Sequence, residues 1–186
     1  TTNELDKIAH DWTLTNEAIP APLGYHGFPK SICTSVNEVI CHGVPDNTKL
    51  KTGDIINVDV TVIKDGFFGD TSATYFVGEV SEENKLTTKR GFFTVKEIGG
   101  HGIGKKFHDE PFVPSHGKKG RGMKLKPWCC ITVEPMINAT SVALIEKNIP
   151  GSTIKYYVTG DKTLSAQFEH TVMITDKGHE ILTLVD

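Results

Sequence analysis

The feature that most constrains this chain is one Asp-Gly pair, Asp65-Gly66, between the two strand-forming runs of IINVDVTVIKDGFFGDTSATYFV. An Asp-Gly pair flanked by such runs is a strong signal for a two-residue β-turn. The segment therefore predicts a β-hairpin with strands near 54–64 and 67–78. If these two residues form the turn, position 61 pairs with position 70, and every residue on the two arms has a defined face.

The predicted register brings two aspartates to one face of the hairpin. Asp59 becomes the diagonal neighbour of Asp70, with the two backbones about 7–8 Å apart and the side-chain ends closer. Two carboxylates aimed at one point repel each other and partly neutralise unless a cation lies between them. A pair of metal ions about 3.5–4 Å apart requires such carboxylates. The hairpin therefore predicts part of a metal site.

Two further carboxylates lie in apolar, strand-like segments of the second half. Glu134 ends ITVEP on the same face as Thr132, and Glu169 shares a face with Gln167 in SAQFEHTVMI. An acidic side chain within an apolar strand is unusual without a partner. The pattern is consistent with a converging acidic cluster, and ordinary carboxylates on an exposed sheet face explain the periodicity equally well.

A glycine-rich segment, IGGHGIGKKFHDEP, supplies two histidines. Its glycines allow a tight turn that brings His101 close to a ligand, and we expect His108 to reach the same point from the far side of this loop. Alone, either histidine is more often a surface or capping residue than a ligand. The spacing from Gly99 to Lys105 nearly matches a phosphate-binding loop. Lys106 stands where that motif needs Ser or Thr, so we reject a nucleotide site.

Composition excludes several classes of function. The net charge of −3 over 186 residues provides no basic field for nucleic acid or an anionic membrane, and no apolar stretch reaches the length of a membrane span. A basic run at 118–126 is interpreted as a solvated loop. The four cysteines form no Cys-x-x-Cys pair, which is typical of proteins in a reducing cytosol.

The remaining pattern predicts a strand-rich chain with one helix at the front. Thr2 to Trp12 has helical periodicity, with Leu5, Ile8 and Trp12 on one face and Thr2 or Asn3 as the N-cap. Further strands are predicted near 31–36, 92–98, 128–134, 153–159, 165–175 and 180–185. No linker separates the halves, so we expect one catalytic domain, 1–186, with similar halves at about 1–86 and 91–186.

Six segments together resemble the type I methionine aminopeptidases. They are GYHGFPKSICTSVNEVICHGVP (24–45), GDIINVDVTVIKDGFFGDTSATYFVG (53–78), GGHGIGKKFHDEP (99–111), GRGMKLKP (120–127), ITVEPMINA (131–139) and LSAQFEHTVMITDKGHEILTL (164–184). The resemblance implies the α+β pita-bread fold, in which two similar halves form a curved antiparallel sheet with outer helices. It also implies removal of N-terminal methionine when the second residue is small.

The same resemblance implies a metal site and its chemistry. Asp59 would chelate one metal, Asp70 and Glu169 would bridge both, and His101 and Glu134 would complete the other. The cofactors would be two divalent ions. Four carboxylates and one imidazole suit Co, Mn, Fe or Zn, and the ligand types do not select among them. Glu134 would also transfer protons, and Thr132 and Gln167 would support the ligands.

The resemblance assigns the substrate contacts as well. His108 would hydrogen-bond the region of the scissile carbonyl and His42 the amide on the leaving side, so both join Glu134 as catalytic residues. The methionine side chain would be surrounded by four residues: Tyr25, Phe28, Cys33 and Phe107. The implied partners are nascent polypeptide N-termini at the ribosome, with no nucleic acid or membrane bound directly. The implied protein is a cytoplasmic monomer.

The sequence also departs from the family pattern. Pro22 stands where a Cys is common, Trp128 replaces a usual Gly, and the pocket Trp has no match. The nearest residues to that Trp are Lys155, Tyr156 and Tyr157. The family has about two helices where Leu86 and Arg90 are nearly adjacent here, which predicts an incomplete outer helical layer. Either a chain break near 86–90 or an exposed apolar sheet face should result.

Two other classes of protein remain open. One is a different pita-bread metallopeptidase, such as a prolidase or aminopeptidase P, which would favour proline at the second substrate position. The other is a non-catalytic pita-bread binding module. Such modules typically lose metal ligands, whereas all five are present in this sequence.

Overall fold

Short strands dominate the computed structural model, which describes residues 1–81, 93–141 and 143–184. Within these ranges the only α-helix is α1 (Thr2–Thr15), and a 3₁₀ turn spans Tyr25–Gly27. The strands follow in chain order: β1 (Ile19–Pro20), β2 (Cys33–Val36), β3 (Val39–Cys41), β4 (Ile55–Lys64), β5 (Phe67–Phe76), β6 (Phe93–Thr94), β7 (Gly100–Ile103), β8 (Asp109–Val113), β9 (Cys130–Val133), β10 (Met136–Asn138), β11 (Leu144–Asn148), β12 (Lys155–Thr159), β13 (Ser165–Gln167), β14 (Glu169–Thr175) and β15 (Gly178–Ile181).

Nine of these strands form one antiparallel sheet. Its main order is β1-β4-β5-β14-β9-β7-β8, with β2 paired to β4 and β15 paired to β14. Strand β14, from the end of the chain, therefore lies between β5 of the first half and β9 of the second. Two three-stranded sheets, β13-β10-β6 and β11-β12-β3, complete the described fold.

The predicted hairpin is confirmed residue by residue. Lys64 pairs with Phe67 across the turn, and the register continues along both ten-residue strands. Asp65 and Gly66 have φ angles of 51° and 80°, the left-handed values that a two-residue hairpin turn requires. The local sequence thus sets both the turn and the faces of β4 and β5.

The helix was placed correctly, but its cap and its buried face were predicted wrongly. Thr1 is the N-cap and forms a capping box with Glu4. Ile8 and Trp12 are 66% and 70% exposed. The polar side faces the protein instead, because Asp6 accepts hydrogen bonds from the backbone N–H groups of Ser31 and Ile32 at 2.8 and 3.2 Å.

Several strand boundaries differ from the sequence prediction. The segment at 165–175 divides at Phe168 into β13 and β14, and the strand near 92–98 is described only as Phe93–Thr94. His101 lies in strand β7 rather than in a loop. The flanking glycines explain this, because a Cβ at Gly100 would lie 2.2 Å from the carbonyl oxygen of Thr132. They allow close strand packing rather than a turn.

Large apolar side chains are exposed on the side of the sheet opposite the acidic residues. Alternation along β5 and β9 places Tyr75 and Val133 there, and these are 58% and 43% exposed. The exposed apolar face expected of an incomplete helical layer is therefore present. The predicted break near 86–90 lies outside the described residues. No helix of the described residues has the length and apolar character needed to cross a membrane.

Candidate metal centre and substrate pocket

Five strands bring the predicted ligands to one cavity of about 420 Å³. Its lining includes all of them: Asp59 on β4, Asp70 on β5, His101 on β7, Glu134 just after β9, and Glu169 on β14. The hairpin register contributes directly, since Asp59 lies opposite Ser72 and Asp70 opposite Thr61. Ser72 also lies opposite Glu169 on β14, so this one residue is the strand neighbour of both Asp59 and Glu169.

The His101 imidazole is oriented for metal binding. Its Nδ1 lies 2.9 Å from the carbonyl oxygen of Gly102, which can only accept, so Nδ1 carries the proton. The unprotonated Nε2 lies 3.6 Å from Glu134 Oε1 and 4.0 Å from Asp70 Oδ2. A backbone carbonyl that fixes the tautomer in this way is the usual second partner of a metal-ligating histidine.

Two side chains hold Glu134 in place. The Thr132 hydroxyl donates to Oε1 at 2.8 Å, and the Gln167 amide donates to Oε2 at 3.2 Å. Burial raises the pKa of Glu134 to about 8, against the lowering effect of the hydrogen bond from Thr132. A carboxyl group with a pKa near neutrality can both accept and return a proton.

The other carboxylates carry the same electrostatic signature. Burial raises the pKa of Asp70 to about 6, although its hydrogen bond from the Thr61 hydroxyl at 2.7 Å opposes the change. Burial, followed by repulsion from Asp70, raises the pKa of both Asp59 and Glu169 well above the ordinary range. Negative charge at this point is therefore costly without a compensating cation.

The arrangement fits a divalent cation. Ligand atoms of Asp70, His101 and Glu169 all lie within 4.8 Å of one another. Asp59 Oδ1 is buried and has no hydrogen-bond partner among the described residues. Converging carboxylates with one imidazole match the donors preferred by first-row divalent metals. These observations favour the acidic cluster over scattered surface carboxylates.

Two further histidines line the same cavity. His42 Nδ1 lies 2.9 Å from the carbonyl oxygen of Lys155, and burial lowers the His42 pKa. The His108 ring lies 4.3 Å from that of His101, between centroids, and its Nδ1 is 3.0 Å from the Tyr25 hydroxyl. Burial lowers the pKa of His108 to about 4. Both imidazoles are therefore neutral at neutral pH.

An apolar recess borders the acidic cluster. The predicted side-chain pocket is assembled, since Tyr25, Phe28, Cys33 and Phe107 all line the cavity, together with Pro22. Phe28 is 1% exposed, and the Phe107 ring lies 4.8 Å from that of Tyr25. The chain therefore places an apolar surface beside charged groups.

Some lining residues were not predicted from the sequence. Thr61 donates to Asp70, and the pairing of positions 61 and 70 was a usable signal for this contact. Ile98 and Ile154 also line the cavity, without any recognisable pattern. Lys155 and Tyr157 contribute to the lining where the family has a Trp, and no tryptophan lines the cavity within the described ranges.

Comparison with known proteins places this site in a family. The model of metallopeptidase family M24 matches residues 1–90 and 84–176. A methionine aminopeptidase of Rickettsia prowazekii is 43% identical over 216 residues, covering 99% of this chain and 82% of the relative. A methionine aminopeptidase of Escherichia coli K12 is 43% identical over 217 residues, covering 98% and 81%. The chain belongs to the methionine aminopeptidases of family M24.

Solved structures of family M24 support the same assignment. The crystal structure of the Rickettsia prowazekii methionine aminopeptidase has a TM-score of 0.92 and 43% identity, with coverage of 99% of this chain and 86% of that chain. The structure from Thermotoga maritima has a TM-score of 0.89 at 30% identity. A prolidase from Pyrococcus furiosus has a TM-score of 0.59 at 19% identity, a likeness of fold alone. The pita-bread fold is therefore confirmed.

These methionine aminopeptidases contain residues that this chain lacks. Their alignments extend over 216 and 217 positions, against the 186 residues here, so at least 30 aligned positions have no counterpart. The two matches of the family model meet at 84–90. The sequence analysis predicted that helices are missing near residues 86–90. This segment lies outside the described residues.

Proposed function

We propose that the chain is a metal-dependent exopeptidase that removes N-terminal methionine when the second residue is small. The observation that supports this most directly is one cavity in which an acidic cluster adjoins an apolar recess. The recess suits a long, unbranched and polarizable side chain, whose thioether gains about 0.3–1.5 kcal/mol from each aromatic edge. The acidic cluster suits the free amine of a peptide N-terminus.

The metal site is part of the proposal. Two divalent ions, Co, Mn, Fe or Zn, would be held by five residues: Asp59, Asp70, His101, Glu134 and Glu169. When bound, such ions supply Lewis acidity toward the peptide carbonyl and the attacking water. Metal titration by calorimetry should give a stoichiometry of about two. A single site that is unaffected by Asp59→Asn would contradict the pair.

The protein groups have separate tasks in this mechanism. Glu134 accepts a proton from the attacking water and returns it to the leaving amine, since its carboxylate borders the cavity and is held in place by Thr132 and Gln167. His42 Nδ1–H donates to the Lys155 carbonyl, which leaves Nε2 as an acceptor for the substrate amide N–H. His108 would contact the carbonyl oxygen of the same peptide bond. Aromatic walls around Phe107 exclude water from the methionine side chain.

Cleavage of short peptides with added metal tests the substrate assignment. Met-Ala-Ser should be cleaved, while N-acetyl-Met-Ala-Ser should not react because its amine is blocked. Leu-Ala-Ser should be cleaved slowly, since a small change in shape within an apolar pocket is worth about 1–3 kcal/mol. Equal cleavage of Met-Ala-Ser and Met-Lys-Ser would refute the rule for small second residues. Faster cleavage of Ala-Pro than of Met-Ala would assign a prolidase instead.

The setting of the enzyme is also proposed. Its substrates would be nascent polypeptide N-termini, met in the cytoplasm at the ribosome by a monomeric, single-domain protein. The methionine aminopeptidase relatives and the free cysteines support this proposal. Sedimentation of the purified protein tests the monomer. Cosedimentation with translating ribosomes tests the location, and its absence at low salt would contradict that part.

A further inference from the structure

The two cavity histidines, His42 and His108, have different hydrogen-bond partners at Nδ1. The inference drawn from this difference rests on the proposed function. A neutral imidazole has one donor nitrogen and one acceptor nitrogen, and the partner of one nitrogen decides the role of the other. At His42 the partner is a backbone carbonyl, so the nitrogen left for the cavity is an acceptor. At His108 the partner is the Tyr25 hydroxyl, which can donate.

Tyr25 is held in a rigid position. Its backbone N–H donates to the carbonyl of Pro22 at 3.0 Å, and the next carbonyl, of His26, accepts from the Thr153 N–H at 3.0 Å and the Ser152 hydroxyl at 2.9 Å. The ring packs at 4.8 Å from Phe107. The phenol oxygen is therefore fixed relative to His108 before any substrate binds.

The direction of the Tyr25–His108 hydrogen bond follows from the available partners. His108 Nδ1 is the one hydrogen-bond partner of the Tyr25 hydroxyl among the described residues, so donation to this nitrogen is the arrangement that gives the phenol proton a partner within the protein. Burial raises the pKa of Tyr25, which keeps this proton in place. With Nδ1 as the acceptor, the His108 proton lies on Nε2.

We propose that the Tyr25 hydroxyl is a positioning group that holds His108 with its proton on Nε2, so that His108 presents a donor to the substrate carbonyl. His42 presents an acceptor to the same peptide bond. Together the two rings match the N–H and C=O of one peptide unit. Tyr25 thus has a role beyond lining the pocket, and this role belongs to its oxygen rather than to its ring.

Tyr25→Phe is the test, because it removes the hydroxyl and keeps the ring that packs on Phe107. With Met-Ala-Ser as substrate, kcat should fall about tenfold while KM stays within about twofold, since only the orientation of a donor is lost. The matched control is Tyr75→Phe, whose hydroxyl lies on the opposite face and is exposed. That variant should retain the parent kcat.

A double-mutant cycle separates positioning from a structural role. In a His108→Ala background, Tyr25→Phe should have no further effect on kcat, because the group that it orients is gone. Additive losses in the double variant would overturn the proposal. So would an unchanged kcat in Tyr25→Phe alone.

Nitrogen-15 spectra of the histidine rings give a readout that does not depend on activity. In the metal-free parent, His108 should show a protonated Nε2 and an unprotonated Nδ1, with the signals assigned by their loss in His108→Ala. Tyr25→Phe should convert this into a mixture of tautomers. A protonated Nδ1 in the parent, or an unchanged tautomer in Tyr25→Phe, would refute the inference. If the protein failed to cleave methionine peptides, only the proposed function would fall, since the spectra would still report the tautomer.

Discussion

His101 and Thr132 are joined by a hydrogen bond from the His101 backbone N–H to the Thr132 hydroxyl oxygen, at 2.9 Å. The same hydroxyl donates its own proton to Glu134 Oε1. One small side chain therefore links the backbone of His101 in β7 to the Glu134 carboxylate that follows β9. A displacement of either proposed metal ligand should therefore disturb a hydrogen bond of this shared hydroxyl.

Replacement of Thr132 by Val should loosen both ligands while keeping the shape of the side chain. The His101 N–H would lose its acceptor, and Glu134 would lose a donor that lowers its pKa. Metal affinity should fall about 10–100-fold, as expected when a group that orients a ligand is removed. Calorimetric titration with Mn²⁺ measures this, and Thr132→Ser, which keeps the hydroxyl, should restore most of the affinity. Parent affinity in the Val variant would contradict the prediction.

Glu134→Gln should keep the fold and lower turnover of Met-Ala-Ser by about 10²–10⁴-fold, the usual range for a group that transfers protons. The amide retains the shape of the carboxyl group but cannot take a proton from water. Metal content must be measured alongside, because Glu134 is also a proposed ligand. Glu180→Gln, on the exposed strand β15, is the matched control. A metal-loaded Glu134→Gln variant with parent turnover would assign the proton transfer to another residue.

The metal-free protein should lose stability as pH rises from about 5 to about 8. Burial raises the pKa of Asp70 to about 6 and of Glu134 to about 8, so the folded chain binds more protons than the unfolded chain in this range. Stability rises with pH only where the unfolded state binds more protons, so here it falls. Bound Mn²⁺ should reverse the trend, because its ligands must be deprotonated.

Thermal unfolding with EDTA and with Mn²⁺, across this pH range, measures both effects. Asp70→Asn should flatten the metal-free curve, because it removes one of the titrating carboxyl groups. A metal-free Tm that is constant with pH in the parent would show that the acidic cluster is not buried as the structure indicates.

Gly100→Ala should damage the site through the backbone. The added Cβ would lie 2.2 Å from the Thr132 carbonyl oxygen, so β7 must move away from β9 and carry His101 with it. We expect a loss of about 1–3 kcal/mol in the free energy of unfolding and a weaker affinity for Mn²⁺. Gly104→Ala is the control, since a Cβ there meets no atom within 4 Å. Equal stability of the two variants in urea unfolding would count against the strand contact.

Trp128→Gly should stabilise the protein. Trp128 has a φ of 69°, in the left-handed region that costs other residues about 1–2 kcal/mol, and its side chain is 67% exposed. Glycine relieves this strain at an entropic cost of about 0.5–1 kcal/mol, which leaves a net gain between zero and about 1.5 kcal/mol. Trp128→Ala keeps a Cβ and should show no such gain. A Gly variant that unfolds at lower urea than the parent would contradict this account.

The sequence contained the hairpin and its aspartate pair because the information is local. The turn dipeptide fixes the register, and the register fixes which side chains share a face. Glu134 and Glu169 were recognisable as acidic groups in apolar strands, but their convergence with the hairpin depends on the insertion of β14 between β5 and β9. No local pattern predicts that order of strands.

Two sequence predictions were wrong: the buried face of helix α1 and the placement of His101 in a loop. Helix α1 packs through Asp6 and leaves Ile8 in solvent, so its apolar periodicity indicated the wrong face. His101 was assigned to a loop because glycines usually mark turns. In β7 they instead allow neighbouring backbones to approach, a requirement that becomes visible only when β9 is in place.

The position of β14 has a consequence for the making of this protein. Because β14 carries Glu169 and pairs with strands of both halves, no fragment that ends before it can hold the full ligand set. The five proposed ligands therefore converge only after β14 has paired with β5 of the first half and with β9 of the second.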